Sequence, residues 1–107
     1  RDVFVAKYDA LGNPVWASSA TGNGDDGGAE IVIDVNSNLL LTGSSSSESI
    51  TFGSVVLTGN DYDKIFTVKY DDAGNVLWAD VFGGDSNDEA YGLTTDNQGS
   101  IFITGEF

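Results

Sequence analysis

The chain has 107 residues, of which 17 are acidic and 4 basic, for a formal net charge of −13; it therefore repels nucleic acid and anionic lipid, whose phosphates require clustered Lys and Arg. It contains neither cysteine nor histidine, which excludes a disulfide framework, a thiolate nucleophile, a Cys-based zinc site and the usual general base. The length allows at most one small domain, and 40% hydrophobic with 11% aromatic residues is enough for a core, which argues against disorder.

The first element in chain order is FVAKYDALGNPVWAS at residues 4–18, and it returns at residues 66–80 as FTVKYDDAGNVLWAD. An offset of 62 aligns residues 1–45 with 63–107 without a gap and gives 13 identical pairs, among them Phe4/Phe66, Lys7/Lys69, Tyr8/Tyr70, Trp16/Trp78, Asp26/Asp88, Asp34/Asp96 and Gly43/Gly105. An ungapped match of that length is a duplication, and its period indicates repeat architecture. Thirteen Asp, 14 Gly and 8 Asn supply the turns, since these residues tolerate left-handed or side-chain-bonded backbone.

In the second copy, Lys64 to Asp71 alternates with period two, which predicts a strand. Asp71-Asp72-Ala73-Gly74-Asn75 then forms a type I turn with a bulge, Gly74 supplying positive φ, and Val76 to Phe82 is the returning strand. A second hairpin runs over Ala90–Thr95, turns at Asp96-Asn97-Gln98-Gly99-Ser100 and returns through Ile101–Gly105. In the first copy its counterpart is Ala29–Asp34 and Leu39–Gly43, with Asn36-Ser37-Asn38 in place of the glycine turn. Residues 44–61 are an insertion: Ser44–Ser49 reads as a low-complexity loop and Ile50–Leu57 as an added strand pair at the blade edge. No stretch has a 3.6-residue period, and the longest apolar runs, such as Leu39 to Leu41, are too short to cross a bilayer.

Two hairpins per period give four antiparallel strands, the unit of a β-propeller blade. The expected fold is all-β: propeller blades of four-stranded antiparallel sheets, with two blades' worth of strands in a single segment spanning 1–107, built from copies 1–62 and 63–107. The strands are out of phase. The chain opens on the third and fourth strands of one blade and closes on the first and second of another, so it needs the remaining blades of a longer parent chain or further copies of itself. Its start at Arg1, without a signal peptide, suggests a processed or excised piece.

The series F-x-x-K-Y-D-x-x-G-N-x-x-W-A, followed by G-G-D-x-x-D-E-A-Y-G-L-x-x-D-x-x-G-x-I-F-I-T-G, resembles the SBBP family of bacterial β-propeller repeats. The resemblance covers both copies apart from the insertion. The first copy departs from it at Thr21-Gly22 and Ala29, where the second has Gly83-Gly84 and Tyr91. It implies a non-catalytic scaffold or protein-interaction module in a large secreted or cell-surface bacterial protein, hence an extracellular location and a protein partner.

Three groups of residues invite a more specific reading. Asn23, Asp25 and Asp26 in the first copy and Asp85, Asn87, Asp88 and Glu89 in the second are candidate calcium ligands, since calcium takes six to eight oxygens and Asp-x-Asn-x-Glu offers them at alternate positions. Local turn capping is the competing reading, and Ala90 stands where a calcium loop has glycine. Trp16 and Trp78 are core residues of the blade, or else platforms for a sugar ring in a carbohydrate-binding propeller with a glycan ligand. Lys7 and Lys69 neutralise a recurrent carboxylate, Asp9/Asp71 or Asp34/Asp96. A further alternative is an exported cargo fragment handled by a secretion or assembly machine. No catalytic residue is assigned.

Overall fold

The computed structural model describes residues 1–59 and 63–107; the end of the expected insertion, residues 60 and 61, lies outside them. Ten strands form, and no helix among the described residues: β1 (Phe4–Tyr8), β2 (Pro14–Gly22), β3 (Asp26–Ile33), β4 (Leu39–Ser45), β5 (Ser49–Phe52), β6 (Val55–Thr58), β7 (Lys64–Tyr70), β8 (Val76–Phe82), β9 (Glu89–Thr95) and β10 (Ile101–Glu106). They make three antiparallel sheets in the orders β1-β2-β5-β6, β3-β4-β7-β8 and β9-β10. The central sheet is one complete four-stranded blade. It is flanked by the second half of a preceding blade and the first half of a following one, which is a partial β-propeller.

The hairpins are closed by one device used four times. Asp9, Asp34, Asp71 and Asp96 each accept, through Oδ1, the backbone N–H groups two and four residues on, at 2.8 to 3.0 Å. These bonds satisfy turn amides that the ladder cannot reach, which is why Asp recurs there. All four carboxyls lie below their ordinary pKa: the backbone bonds lead at Asp9 and Asp96, the Asn75 side-chain amide leads at Asp71, and at Asp34 the backbone bonds and Lys69 outweigh the opposing burial. The residue three beyond each Asp has positive φ: Gly12 at 84°, Gly74 at 87°, Gly99 at 83° and Ser37 at 64°. Ser37 is the one side chain among them that must accept a left-handed conformation. The register shifts at Lys7/Tyr8 and Lys69/Tyr70 are the bulges expected beside such turns.

A second bulge recurs on the first strand of the second hairpin of each copy, β3 and β9. Between Gly28 and Glu30 the register skips Ala29, and between Thr104 and Gly105 it skips Tyr91. This interrupts the alternation, so β3 begins at Asp26 rather than at Ala29 as the pattern had suggested. Opposite the bulges stand Gly43 and Gly105, where a Cβ would run into the carbonyl oxygens of Gly27 and Glu89 respectively. The glycine of the Thr-Gly pair shared by both copies is thus a steric requirement of the bulge.

Covering the central sheet on both faces explains its composition. Phe66, Val68 and Tyr70 of β7 and Leu41 of β4 join Val3, Val5, Ala20, Ile50 and Phe52 in one cluster between the first and central sheets. On the opposite side β9 packs on β3 and β4, and Leu40, Ile65, Ala90 and Leu93 are buried. Strands covered on both faces read as near-continuous apolar runs, as Leu39–Leu41 and Ile65–Phe66 do. Thr67 is buried with its hydroxyl unpartnered, whereas its repeat-equivalent is Val5.

The insertion differs from the sequence expectation in two ways. Ser44 and Ser45 belong to β4 and Ser49 to β5, so the loop between them is only Ser46–Glu48. The added hairpin β5–β6, found where a strand pair was expected, leaves its own blade and pairs with β2 of the preceding one through Ala20↔Phe52, Thr21↔Thr51 and Gly22↔Ile50. It places Phe52 against Phe66 with ring centroids 5.0 Å apart, so it ties two blades together through the shared core.

Lys69 neutralises Asp34 at 3.1 Å, as one of the two pairings from the sequence had it. Lys7 instead pairs with Asp72, which has no acidic counterpart in the first copy.

Three stability outcomes follow. Ser37→Gly should raise the unfolding free energy by about 0.5–1 kcal/mol by relieving the left-handed side chain, measured by urea titration. Thr67→Val, which restores the residue of the other copy, should stabilise by up to about 1 kcal/mol because an orphaned hydroxyl no longer needs burial. Burial opposes the charge on Asp34, but the backbone bonds and Lys69 outweigh it and lower the pKa. Its stabilising effect is therefore present above the ordinary Asp value and lost as pH falls through the depressed one. Asp34→Asn should accordingly be less stable than the parent chain at pH 7, and the gap should close below pH about 4.

Candidate functional site

The two acidic loops follow β2 and β8. In the first, Asp26 is buried and both its carboxylate oxygens accept from the Ser47 hydroxyl, at 2.9 and 3.0 Å, while the Ser45 hydroxyl donates to Oδ1. Gly24 and Asp25 donate their N–H groups to the Ser47 and Ser46 hydroxyls at 2.8 and 2.7 Å, and the Asn23 amide oxygen accepts from the Glu48 N–H at 3.1 Å. The Asp25 side chain is exposed and bound to the N-terminal ammonium of Arg1 at 2.9 Å, which lowers its pKa. The serine run is therefore the hydroxyl lining of this loop.

In the second loop, Asp88 is buried and accepts the Gly84 N–H through Oδ2 at 2.7 Å, but its Oδ1 has no partner. The repeat explains the difference, since the position of Ser45 is taken by Phe107. Asn87 accepts from the Asp63 N–H at 3.5 Å, and Asp85 is exposed. Glu89 accepts from the Tyr91 hydroxyl at 3.0 Å; this bond, with burial and Glu106 adding to it, pushes the phenol up to about 12. Among the described residues no three acidic side chains converge as metal ligands do. Asn23, Asp25 and Asp26 are engaged by internal donors, which a cation would have to displace.

The indole of Trp16 is stacked on Tyr70 at 6.2 Å and 25°, and its Nε1 donates to the Asp72 carbonyl at 3.0 Å. It thus packs between blades, as expected of a core residue. Trp78 has no such neighbour and is partly exposed. Tyr8 and Trp16 line a depression of about 260 Å³ that also includes Asp71 and Asp72, so rings and carboxylates meet there as the carbohydrate alternative requires.

Several side chains buried in one copy are exposed in the other, at open sheet faces. Phe66 is fully buried but its equivalent Phe4 is 76% exposed; for Tyr70 and Tyr8 the values are 2% and 63%, for Leu40 and Phe102 0% and 56%, and for Leu93 and Ile31 7% and 48%. The buried member of each pair faces a neighbouring sheet, and the exposed member lies where that neighbour would stand. A further depression, of about 540 Å³, lies against β10 and is lined by Ile65, Phe82, Ile103, Thr104, Gly105 and the buried Asp88, among others. These faces were not singled out in the sequence, although the signal is there: identical residues at offset 62 imply identical packing, which one small chain cannot provide at both ends.

No protein-family model matches the chain. Over 110 aligned residues it is 32% identical to an uncharacterized WD repeat-containing protein of Acanthamoeba polyphaga mimivirus, in an alignment that takes in 97% of this chain. The chain spans only 8% of that protein's length, so what it is similar to is one stretch of a much longer repeat protein.

Proposed function

We propose that the chain is a non-catalytic β-propeller repeat segment that serves as a scaffold and protein-interaction module in a large secreted or cell-surface bacterial protein. The observation that carries this reading is the equivalence of the two copies: residues buried between sheets in one are presented at the open faces in the other. Such a segment works by stacking with further blades and displaying the loops between strands. The WD repeat name of the similar viral protein supports the propeller role. The bacterial, exported setting rests on the resemblance to SBBP repeats.

A second reading, carbohydrate binding, is favoured by the depression at Tyr8, Trp16, Asp71 and Asp72. The scaffold reading answers it, because Tyr70 occupies the equivalent of Tyr8 and is buried by the adjoining sheet. On the scaffold reading, oligosaccharides added at millimolar concentration leave the tryptophan emission of the chain unchanged. A saturable change abolished by Tyr8→Ala would establish the carbohydrate reading instead.

A further inference from the structure

The loop between β2 and β3 holds the chain's only Asn-Gly dipeptide, Asn23-Gly24. Glycine leaves its backbone nitrogen unhindered, so in this pair that nitrogen most easily reaches the side-chain amide carbon of the residue before it. The packing demands both residues. A Cβ on Gly24 would lie 2.7 Å from the Ser46 hydroxyl oxygen and 2.8 Å from the Ser46 carbonyl, closer than packed atoms come. The Asn23 amide oxygen accepts the Glu48 N–H at 3.1 Å. In the second copy Asp85-Ser86 stands in the same place, so the dipeptide belongs to the first copy alone.

In the closed loop the Gly24 nitrogen is occupied. Its N–H donates to the Ser47 hydroxyl at 2.8 Å, and Ser47 is itself buried, with that hydroxyl on both carboxylate oxygens of Asp26. The next rung is doubled: Asp25 N–H donates to the Ser46 hydroxyl at 2.7 Å, and Ser46 N–H to the Asp25 carbonyl at 2.9 Å. Attack on Asn23 therefore requires the loop to come off the 46–48 segment. We propose that Asn23-Gly24 is a self-modification site controlled by the opening of this loop. Once it opens, the Gly24 nitrogen bonds to Cγ of Asn23, the Cγ–Nδ2 bond breaks, and the amide leaves as ammonia, carrying the proton that Gly24 gives up. Water then opens the cyclic imide at either carbonyl, which gives aspartate or isoaspartate. Water is the sole co-reactant.

The two products differ in effect. Aspartate already occupies this position in the second copy, as Asp85, and its carboxylate can still accept the Glu48 N–H. Isoaspartate routes the main chain through Cβ and Cγ, which lengthens it just before Gly24 and carries the Gly24 and Asp25 N–H groups off the Ser47 and Ser46 hydroxyls. Those bonds tie the start of β3 to the segment that leads into β5. The isoaspartyl form thus loses the anchor at the root of the inserted hairpin, and the change is cumulative with the age of the chain.

The test follows the full 107-residue chain in neutral buffer, folded and unfolded in urea, by peptide mass mapping and by enzymatic methylation of isoaspartate. Modification should concentrate at Asn23 and run about tenfold or more slower in the folded chain, as for a group that reacts only after local opening. Ser47→Ala removes the acceptor of the Gly24 N–H and should speed the folded chain's reaction about two- to tenfold, the effect of losing one hydrogen bond, with no change in urea. Should the loss of a donor to Asp26 unfold that variant, Ser46→Ala changes an exposed side chain that does not touch Asp26 and should act in the same direction. A folded chain that reacts as fast as the unfolded one, serine variants no faster than the parent, or faster change at Asn36-Ser37 or Asn87-Asp88 in the folded chain would overturn the proposal. The isoaspartyl fraction, separated by ion exchange, should show faster amide hydrogen exchange at Gly24, Asp25 and Ser46 than Asn23→Asp does. Equal exchange in the two would refute the loosening of the hairpin's anchor.

Discussion

The structure depends on the covering of both faces of every sheet by another sheet. A four-stranded antiparallel sheet with apolar residues on both faces cannot stand alone in water. Burying a single large apolar side chain contributes about 1.5–3 kcal/mol, comparable with a sizeable share of a small domain's net stability. The central blade meets the requirement because a half-blade lies on each side of it. The outer half-blades meet it on one face only, and the exposed Phe4, Tyr8 and Phe102 are its unmet remainder. Repeat proteins share this logic: each unit completes its neighbour, and the terminal units need something further.

Two local devices make the stacking possible by fixing where each strand begins and which way it faces. The Asp-headed turns set the hairpin register, and a register error of one residue would send every core side chain to the wrong face. The bulges at Ala29 and Tyr91 bend β3 and β9, and the glycines opposite them leave room for the bent backbone. Both devices recur at an offset of 62 residues, so they belong to the repeat rather than to an individual sheet. The buried Asp26 does not recur in the same form. Its carboxylate is saturated by serine hydroxyls from the end of β4 and the loop beyond it, and the second copy has lost one of them to Phe107.

Much of this was legible in the sequence, for physical reasons. Period-two alternation and Asp-x-x-Gly turns report on contacts within a few residues, so the hairpins and the absence of helix could be read directly. The ungapped repeat added the four-strand blade and the phase of the chain. Less legible were features decided by contacts across sheets. The start of β3 was hidden because a bulge breaks the alternation on which strand recognition depends, and Gly27-Gly28 then reads as loop. The role of Ser45 and Ser47 was hidden because a hydroxyl's partner, here about 20 residues away, leaves no local pattern. The lysines were half legible: Lys69 finds Asp34, but Lys7 turns to Asp72 because the carboxylate that the repeat would give it is not in its own sheet.

The inserted hairpin is the clearest case of a non-local decision. Its sequence, ITFGSVVL, has the strand pattern and a glycine turn, with Gly53 at a φ of 60°, but nothing in it says which edge it will join. Its own blade offers no edge at that point, because β4 is already paired with β7. The outer strand of the preceding blade, β2, has a free edge, and Ala20 to Gly22 takes the hairpin there. Pairing at that edge also brings Ile50 and Phe52 into the core between the two sheets, so one insertion covers an exposed strand edge and adds apolar contact between blades. It crosses from one blade to the next, and so stabilises the stacking of blades rather than any single sheet. That is the same constraint from which the rest of the architecture follows.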